Sequence, residues 1–279
     1  MLRLSSGGQM KTYYNDERDC RGGRRVHWLR FSTQDENGFG LLEADGVHVC
    51  RGDMFSGWEK TGKLLAPGEI RWQTPCVPTK MIALWNNFHE AAATLALAIP
   101  ADPLFFLKGA NSFLPHDAAI PAPASYSGKV LFEGELGIVI GKQGKDISPD
   151  QAAGHVFGYT CVNDVTAFEL LKADPTFAQW TRAKSFDGFG PFGPVIATGL
   201  DPSALCVRTL VNGKERQNYA VRDMIFAPEQ LVSLISRDLT LFPGDIISCG
   251  TSLGAGSMLA GARVDVVIDG VGTLSNRYA

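Results

Sequence analysis

Apolar and polar positions along this chain fall mostly into short runs with a two-residue period, broken by Gly, Pro, Asn and Asp. That pattern predicts strands over Val26–Phe31, Gly40–Glu43 and Val47–Cys50, with turn signals at Asn37-Gly38 and Asp45-Gly46. Ser56–Pro67 reads as a poor helix, and an extended connection over Thr74–Thr79 leads onward. Residues 1–75 are therefore expected to form an N-terminal extension and a small β-rich subdomain, and residues 76–279 the main domain. Within the latter, strands are expected at Lys80–Trp85, Leu104–Lys108, Leu131–Gly141 and Val156–Val162, with helices at Ala91–Ala98 and Thr166–Lys172 and a short one opened by Ser148-Pro149-Asp150. Asn111–Ser127 is a Pro-, Ala- and Ser-rich loop, and Ser185–Pro194 a rigid Gly/Pro loop able to hold backbone N–H groups against a ligand. Further strands follow at Val195–Gly199, Cys206–Val211 and Glu215–Ala220, the last pair turning at Asn212-Gly213. An amphipathic helix over Pro228–Asp238 presents Leu231, Leu234 and Ile235. After the turn and strand of Phe242–Thr251, Arg263–Ile268 and Gly270–Asn276 make a final hairpin. The fold class is mainly β with peripheral helices, α+β.

Leu131–Gly141 breaks the apolar rule. In one continuous strand Glu133 and Glu135 share a face, opposite Phe132, Leu136, Ile138 and Ile140. Buried carboxylates are costly to desolvate and repel each other when ionised. A hard divalent ion with oxygen ligands, Mg²⁺ or Mn²⁺, would resolve the conflict. The alternative is an edge strand with a solvated acidic face. Asp164, directly after the Val156–Val162 strand, is placed to converge with the two glutamates, and Lys184 follows twenty residues on.

Composition narrows the function. The chain has 279 residues, 45% hydrophobic and 20% charged, with a net charge of −3 and a pI near 6.0. Such a balance argues against a nucleic-acid or anionic-membrane partner. No apolar run approaches the ~18 residues a membrane span needs. Met1–Arg25 is polar and lacks the apolar stretch of a signal peptide; it reads as a loosely held lead-in or an over-long start. The six cysteines form no C-x-x-C pair, which suits a reducing cytoplasm without disulfides or a zinc site.

The segments Phe-Glu-Gly-Glu-Leu-Gly-Ile-Val-Ile-Gly-Lys (132–142), Gly-Tyr-Thr-Cys-Val-Asn-Asp-Val-Thr-Ala (158–167) and Arg-Ala-Lys-Ser-Phe-Asp-Gly-Phe-Gly-Pro-Phe-Gly-Pro (182–194) resemble the fumarylacetoacetate hydrolase family. So do Val-Asn-Gly-Lys-Glu-Arg-Gln (211–217) and Pro-Gly-Asp-Ile-Ile-Ser-Cys-Gly-Thr (243–251), and all five run in the family's order. The resemblance implies a distorted β-barrel-like roll of mixed sheets, a homodimer, and a Mg²⁺, Mn²⁺ or Ca²⁺ site at Glu133, Glu135 and Asp164. It implies a small-molecule 2-oxo or diketo acid as substrate, its enolate stabilised by the metal and by Lys184. For Lys184 an ion pair with Asp187 is the alternative. Gln217 and Thr251 match pocket-lining positions and are candidate substrate contacts, with a structural role as the alternative; Lys108 could also reach the pocket.

His89, at a strand-to-helix junction, is the candidate general base, with a helix-start His bonded to backbone as the alternative. Many family members carry His-x-x-Glu, but the third residue after His89 is Ala92, leaving Glu90 as the nearby acid. Phe168 stands where an Arg is common, and Ser252 where a Pro is. The leading expectation is a hydrolase cleaving a C–C bond in an acylpyruvate- or fumarylacetoacetate-type 1,3-diketo acid. The runner-up is a decarboxylase, isomerase or hydratase of aromatic catabolism using the same metal. A non-catalytic protein that keeps the fold is the third reading. The His89–Ala98 segment and the Asn111–Ser127 loop are candidate lids.

Overall fold

The Gly134–Ile140 strand is the centre of the molecule and is buried on both faces. Leu136, Ile138 and Ile140 pack one way, against Val207, Val266, Ile268 and Leu274 of a second sheet and Leu231, Val232 and Ile235 of the Pro228–Ser236 helix. Val139 points the other way, to Trp28, Met81, Phe192 and Ile196. Double burial explains why the segment reads as a near-continuous apolar run. The computed structural model describes residues 25–279 and, ahead of them, a two-residue ladder between Arg3–Leu4 and Met10–Lys11. The lead-in expected over Met1–Arg25 otherwise lies outside the described residues.

Around this strand runs a twelve-stranded mixed sheet. From one edge its order is Gly57–Leu65, Gly46–Asp53, Asn37–Glu43, Val26–Ser32, Gly190–Thr198, Val156–Asn163, Gly134–Ile140, Ile246–Ser248, Met81–Trp85 and Leu104–Lys108, with Phe113–Leu114 and Arg71–Trp72 paired at its sides. The N-terminal strands join the body through Val26–Ser32, antiparallel to Gly190–Thr198 with Trp28 opposite Ile196. A five-stranded sheet holds Ala119–Ile120, Gly272–Tyr278, Arg263–Ile268, Cys206–Val211 and Lys214–Ala220. A three-stranded sheet holds Thr166–Ala167, Val130–Phe132 and Gly256–Ser257. The mainly β, mixed-sheet roll implied by the resemblance is the architecture found; the sheets do not close into a barrel.

Four local expectations are corrected. Ser56–Pro67 is a strand over Gly57–Leu65, because its cross-strand partner Gly46–Asp53 supplies a ladder that helix propensity in this Gly/Lys-rich stretch cannot outbid. The Gly/Pro loop becomes strand from Gly190 onward, pairing with Val156–Asn163. Thr166–Lys172 is not an α-helix: Thr166–Ala167 is strand and Phe168–Lys172 a 3₁₀ turn. Leu131–Gly141 is two strands in two sheets, Val130–Phe132 and Gly134–Ile140, parting at Glu133. Its central place also removes the edge-strand reading.

Asp245, fully buried in the Pro-Gly-Asp turn, ties the extended connection to the body. Its carboxylate accepts from the backbone N–H groups of Thr79 (3.0 Å), Lys80 (3.1 Å) and Phe242 (2.9 Å), from the Thr79 hydroxyl (2.6 Å) and from the Lys80 ammonium. Replacing it leaves several buried donors unpaired. Asp245→Ala is expected to lower stability by about 3 kcal/mol or more, read as a drop in urea midpoint at unchanged slope.

Candidate metal centre

Glu133, Glu135 and Asp164 each offer a carboxylate oxygen, and these oxygens lie within 4.8 Å of one another. Backbone bonds set two of them side by side. The Glu133 N–H donates to Asn163 Oδ1 (3.0 Å), and the Glu133 carbonyl accepts from the Asp164 N–H (2.8 Å). Glu133 occupies the break where the chain leaves one sheet for another; Glu135 lies inside the central strand, opposite Val162. The residue between them is clamped. Gly134 donates its N–H to Gln217 Oε1 (3.0 Å), while its carbonyl accepts from Thr251 Oγ1 (3.0 Å) and Tyr219 Oη (2.5 Å). A Cβ at Gly134 would sit 2.0 Å from Thr209 Oγ1, so only glycine fits the spacer.

Glu135 and Asp164 are fully buried, Glu133 is partly so, and the three are unequally partnered. Asp164 accepts from Lys108 Nζ (2.5 Å) on one oxygen and from Lys184 Nζ (2.6 Å) on the other. Lys184 also reaches Glu133 Oε2 (2.7 Å), and Thr166 Oγ1 donates to Glu133 Oε1 (2.8 Å). Glu135 Oε2 accepts from the Ser248 hydroxyl and the Gly250 N–H (2.9 Å); a positive φ of 86° at Gly250 aims that N–H inward. Glu135 Oε1 is buried with no partner.

Burial drives the Glu135 carboxyl well above the ordinary range, and the charges of Asp164 and Glu133 add to it. Glu133 is raised for the same first reason, opposed by Lys184. Burial pushes Asp164 up too, but Lys108 and Lys184 outweigh it and hold Asp164 low. Burial would lower Lys184, yet the surrounding carboxylates keep it above its ordinary value, a firm ammonium. Burial lowers Lys108 despite Asp164.

Counted fully ionised, three carboxylates against two ammoniums leave one negative charge in excess, and one buried oxygen is unsatisfied. An all-oxygen set of this kind fits a hard divalent cation. Lys184 therefore pairs with Glu133 and Asp164 rather than Asp187, whose carboxylate accepts from Asn111 Nδ2 (2.6 Å). Gln217 spends its side chain inside the protein, donating to Thr251 Oγ1 (2.8 Å) and to the Ser252 carbonyl (3.3 Å). Lys108 lies inside the cluster. His89 and Glu90 are exposed at the start of the His89–Thr94 helix, and the Glu90 N–H donates to Asp223 Oδ2 (3.0 Å). No described acid hydrogen-bonds the His89 ring, and Ala92 is packed in the core. The holders of Glu135 and Glu133, namely Ser248, Gly250, Asn163 and Thr166, were not singled out as site residues. Ser248 left a signal, a hydroxyl within the apolar run Ile-Ile-Ser-Cys.

Residues 80–279 match the family model described as fumarylacetoacetate (FAA) hydrolase C-terminal. The chain belongs to this family. Residues 26–75 match a second model, Rv2993c-like, N-terminal. Oxaloacetate tautomerase YisK of Bacillus subtilis is 37% identical over 223 residues, 75% of this chain and 73% of that one. The 2-hydroxyhepta-2,4-diene-1,7-dioate isomerase of Mycobacterium marinum superposes with a TM-score of 0.82 at 35% identity, over 91% of this chain and 98% of that one. Fumarylpyruvate hydrolase of Pseudomonas aeruginosa, solved with Mn²⁺ and pyruvate, superposes with a TM-score of 0.67 at 30% identity, over 74% of this chain and 91% of that one.

Gly134→Ala is expected to cost about 1–3 kcal/mol by overpacking against Thr209 and to weaken Mn²⁺ binding, both measurable by calorimetry. A cation needs Glu135 ionised, which the upward shift of its carboxyl opposes, so affinity should fall as pH drops toward the ordinary carboxylate range. By the same shift the contribution of Glu135 to the stability of the metal-free fold is present below the ordinary glutamate pKa and lost as pH rises through the elevated one, while the lowered Asp164 contributes with the opposite sign. Titrating Mn²⁺ near pH 6 in two buffers of different ionisation enthalpy should reveal proton release; none would contradict this account of Glu135.

Proposed function

We propose that the protein is a divalent-metal-dependent enzyme that enolises a 2-oxo acid, as an isomerase, tautomerase or decarboxylase. What carries this reading is the ammonium of Lys184 at two of three clustered carboxylates, beside the unpartnered Glu135 Oε1. Glu133, Glu135 and Asp164 would hold the ion, Mg²⁺ or Mn²⁺, which supplies Lewis acidity toward the carboxylate and keto oxygens of the substrate. With a divalent ion the excess charge turns positive, matching an anionic 2-oxo acid. Lys184, firmly protonated, donates a hydrogen bond to the oxygen on which negative charge develops. Ser248 and Gly250 keep Glu135 oriented, and the Gln217–Thr251–Gly134 clamp fixes the spacing of the two glutamates. The likeness to an oxaloacetate tautomerase and to a dienedioate isomerase supports this chemistry.

Hydrolytic C–C cleavage of a diketo acid is the second reading, favoured by the likeness to fumarylpyruvate hydrolase. It needs an activated water. His89 is the candidate base with Glu90 beside it, but its ring has no described acidic partner to orient it. A single set of assays separates the readings. With Mg²⁺ or Mn²⁺, oxaloacetate enol–keto conversion and decarboxylation are expected to survive His89→Ala and to fall at least about 100-fold in Glu135→Gln. Acylpyruvate cleavage that dominates and is abolished by His89→Ala would make the enzyme a hydrolase. No conversion of any 2-oxo acid would return the non-catalytic reading.

A further inference from the structure

Strand alternation places Leu104, Phe106 and Lys108 on one face of the sheet's last strand. Their direct cross-strand partners on Met81–Trp85 are Trp85, Ala83 and Met81, which share that face. The inner end of this face is the metal centre, because Lys108 bonds Asp164 and the Lys184 ammonium lies 5.1 Å from the Phe106 ring centroid. Moving outward, Phe106 stacks on Trp180 at 5.0 Å, and Trp180 meets Trp85 at 5.7 Å. Burial falls off in the same direction: Lys108 is 2% exposed, Trp85 42% and Leu104 45%. A continuous shelf of apolar and aromatic surface thus runs from the carboxylates to solvent, ending on large side chains that an unpartnered surface would not favour.

We propose that this shelf, formed by Trp85, Leu104, Phe106 and Trp180, is the subsite for the tail of the substrate, and that the tail is apolar or aromatic. The proposal rests on the 2-oxo acid reading above and names the substrate class within it. A 2-oxo acid gripped by its carboxylate and keto oxygens must direct the rest of its carbon chain away from the carboxylate cluster. The shelf begins where that cluster ends. Phe106 seals its inner end, while Trp180, Trp85 and Leu104 offer flat or branched apolar surface to a conjugated or phenyl-bearing tail. The nearby cations do not compete for it from within: Lys108 and Lys184 are both committed to carboxylates.

The test is binding to the full chain loaded with Mn²⁺, followed by calorimetry and by tryptophan fluorescence. The probes are pyruvate, phenylpyruvate and 2-oxoglutarate. Phenylpyruvate is expected to bind roughly tenfold tighter than pyruvate and to perturb tryptophan emission, as partial burial of a phenyl group on apolar surface requires. In Trp85→Ala, whose exposed position spares the core, that advantage should shrink to about twofold or less. Equal affinity for phenylpyruvate and pyruvate would overturn the subsite while leaving the 2-oxo acid reading intact. So would an advantage unchanged in Trp85→Ala, a preference for 2-oxoglutarate over phenylpyruvate, or a second copy of the chain found covering Trp85 and Leu104. Failure of pyruvate itself to bind the loaded protein would instead sink the reading beneath it.

Discussion

The structure depends on holding three carboxylates together where burial strips away most of their solvation. Like charges about 4 Å apart repel by roughly 4 kcal/mol at an effective dielectric of 20. The fold answers in part with two lysines, one shared between Glu133 and Asp164 and one given to Asp164 alone. Glu135 receives no cation from the protein, only a hydroxyl and a backbone N–H on one oxygen. Counted fully ionised, the cluster stops one positive charge short, which is poor engineering for stability alone and is compatible with a bound cation.

Precision in that centre comes from backbone, not from long side chains. Glu133 and Asp164 are joined through main-chain hydrogen bonds, and both flanking groups of Gly134 are held by Gln217, Thr251 and Tyr219. Gln217 and Tyr219 come from the five-stranded sheet, whereas Glu135 belongs to the large one. The spacing of the glutamates is thus set by how two sheets pack, and Gly134 permits the approach because it lacks a Cβ.

Much of this was legible beforehand, and for physical reasons. A pair of glutamates inside an apolar run is costly, so Glu133 and Glu135 stood out from the pattern, while a solvated edge strand stayed open and the family resemblance joined Asp164 to them as a metal set. Strand periods located most of the sheet, down to the Asn212-Gly213 turn between Cys206–Val211 and Lys214–Ala220. What was hidden lay in tertiary pairing. Alternation assumes one unbroken strand, and nothing local announces that the chain changes sheets at Glu133. Gly57–Leu65 is almost wholly exposed and carries no core signature; only its neighbour makes it a strand. Ser248 and Gly250 lie more than a hundred residues from Glu135, so their role appears only once Ile246–Ser248 is laid beside Gly134–Ile140.

The break at Glu133 has a mechanical side. Val130–Phe132 belongs to the small sheet and Gly134–Ile140 to the large one, and Asp164 in turn stands between Val156–Asn163 and Thr166–Ala167, which divide the same way. An ion gripped by these carboxylates would act as a rivet through the seam, adding a cross-link where two chain crossings meet. Loss of that ion would then loosen the joint together with the chemistry, so that one binding equilibrium governs both.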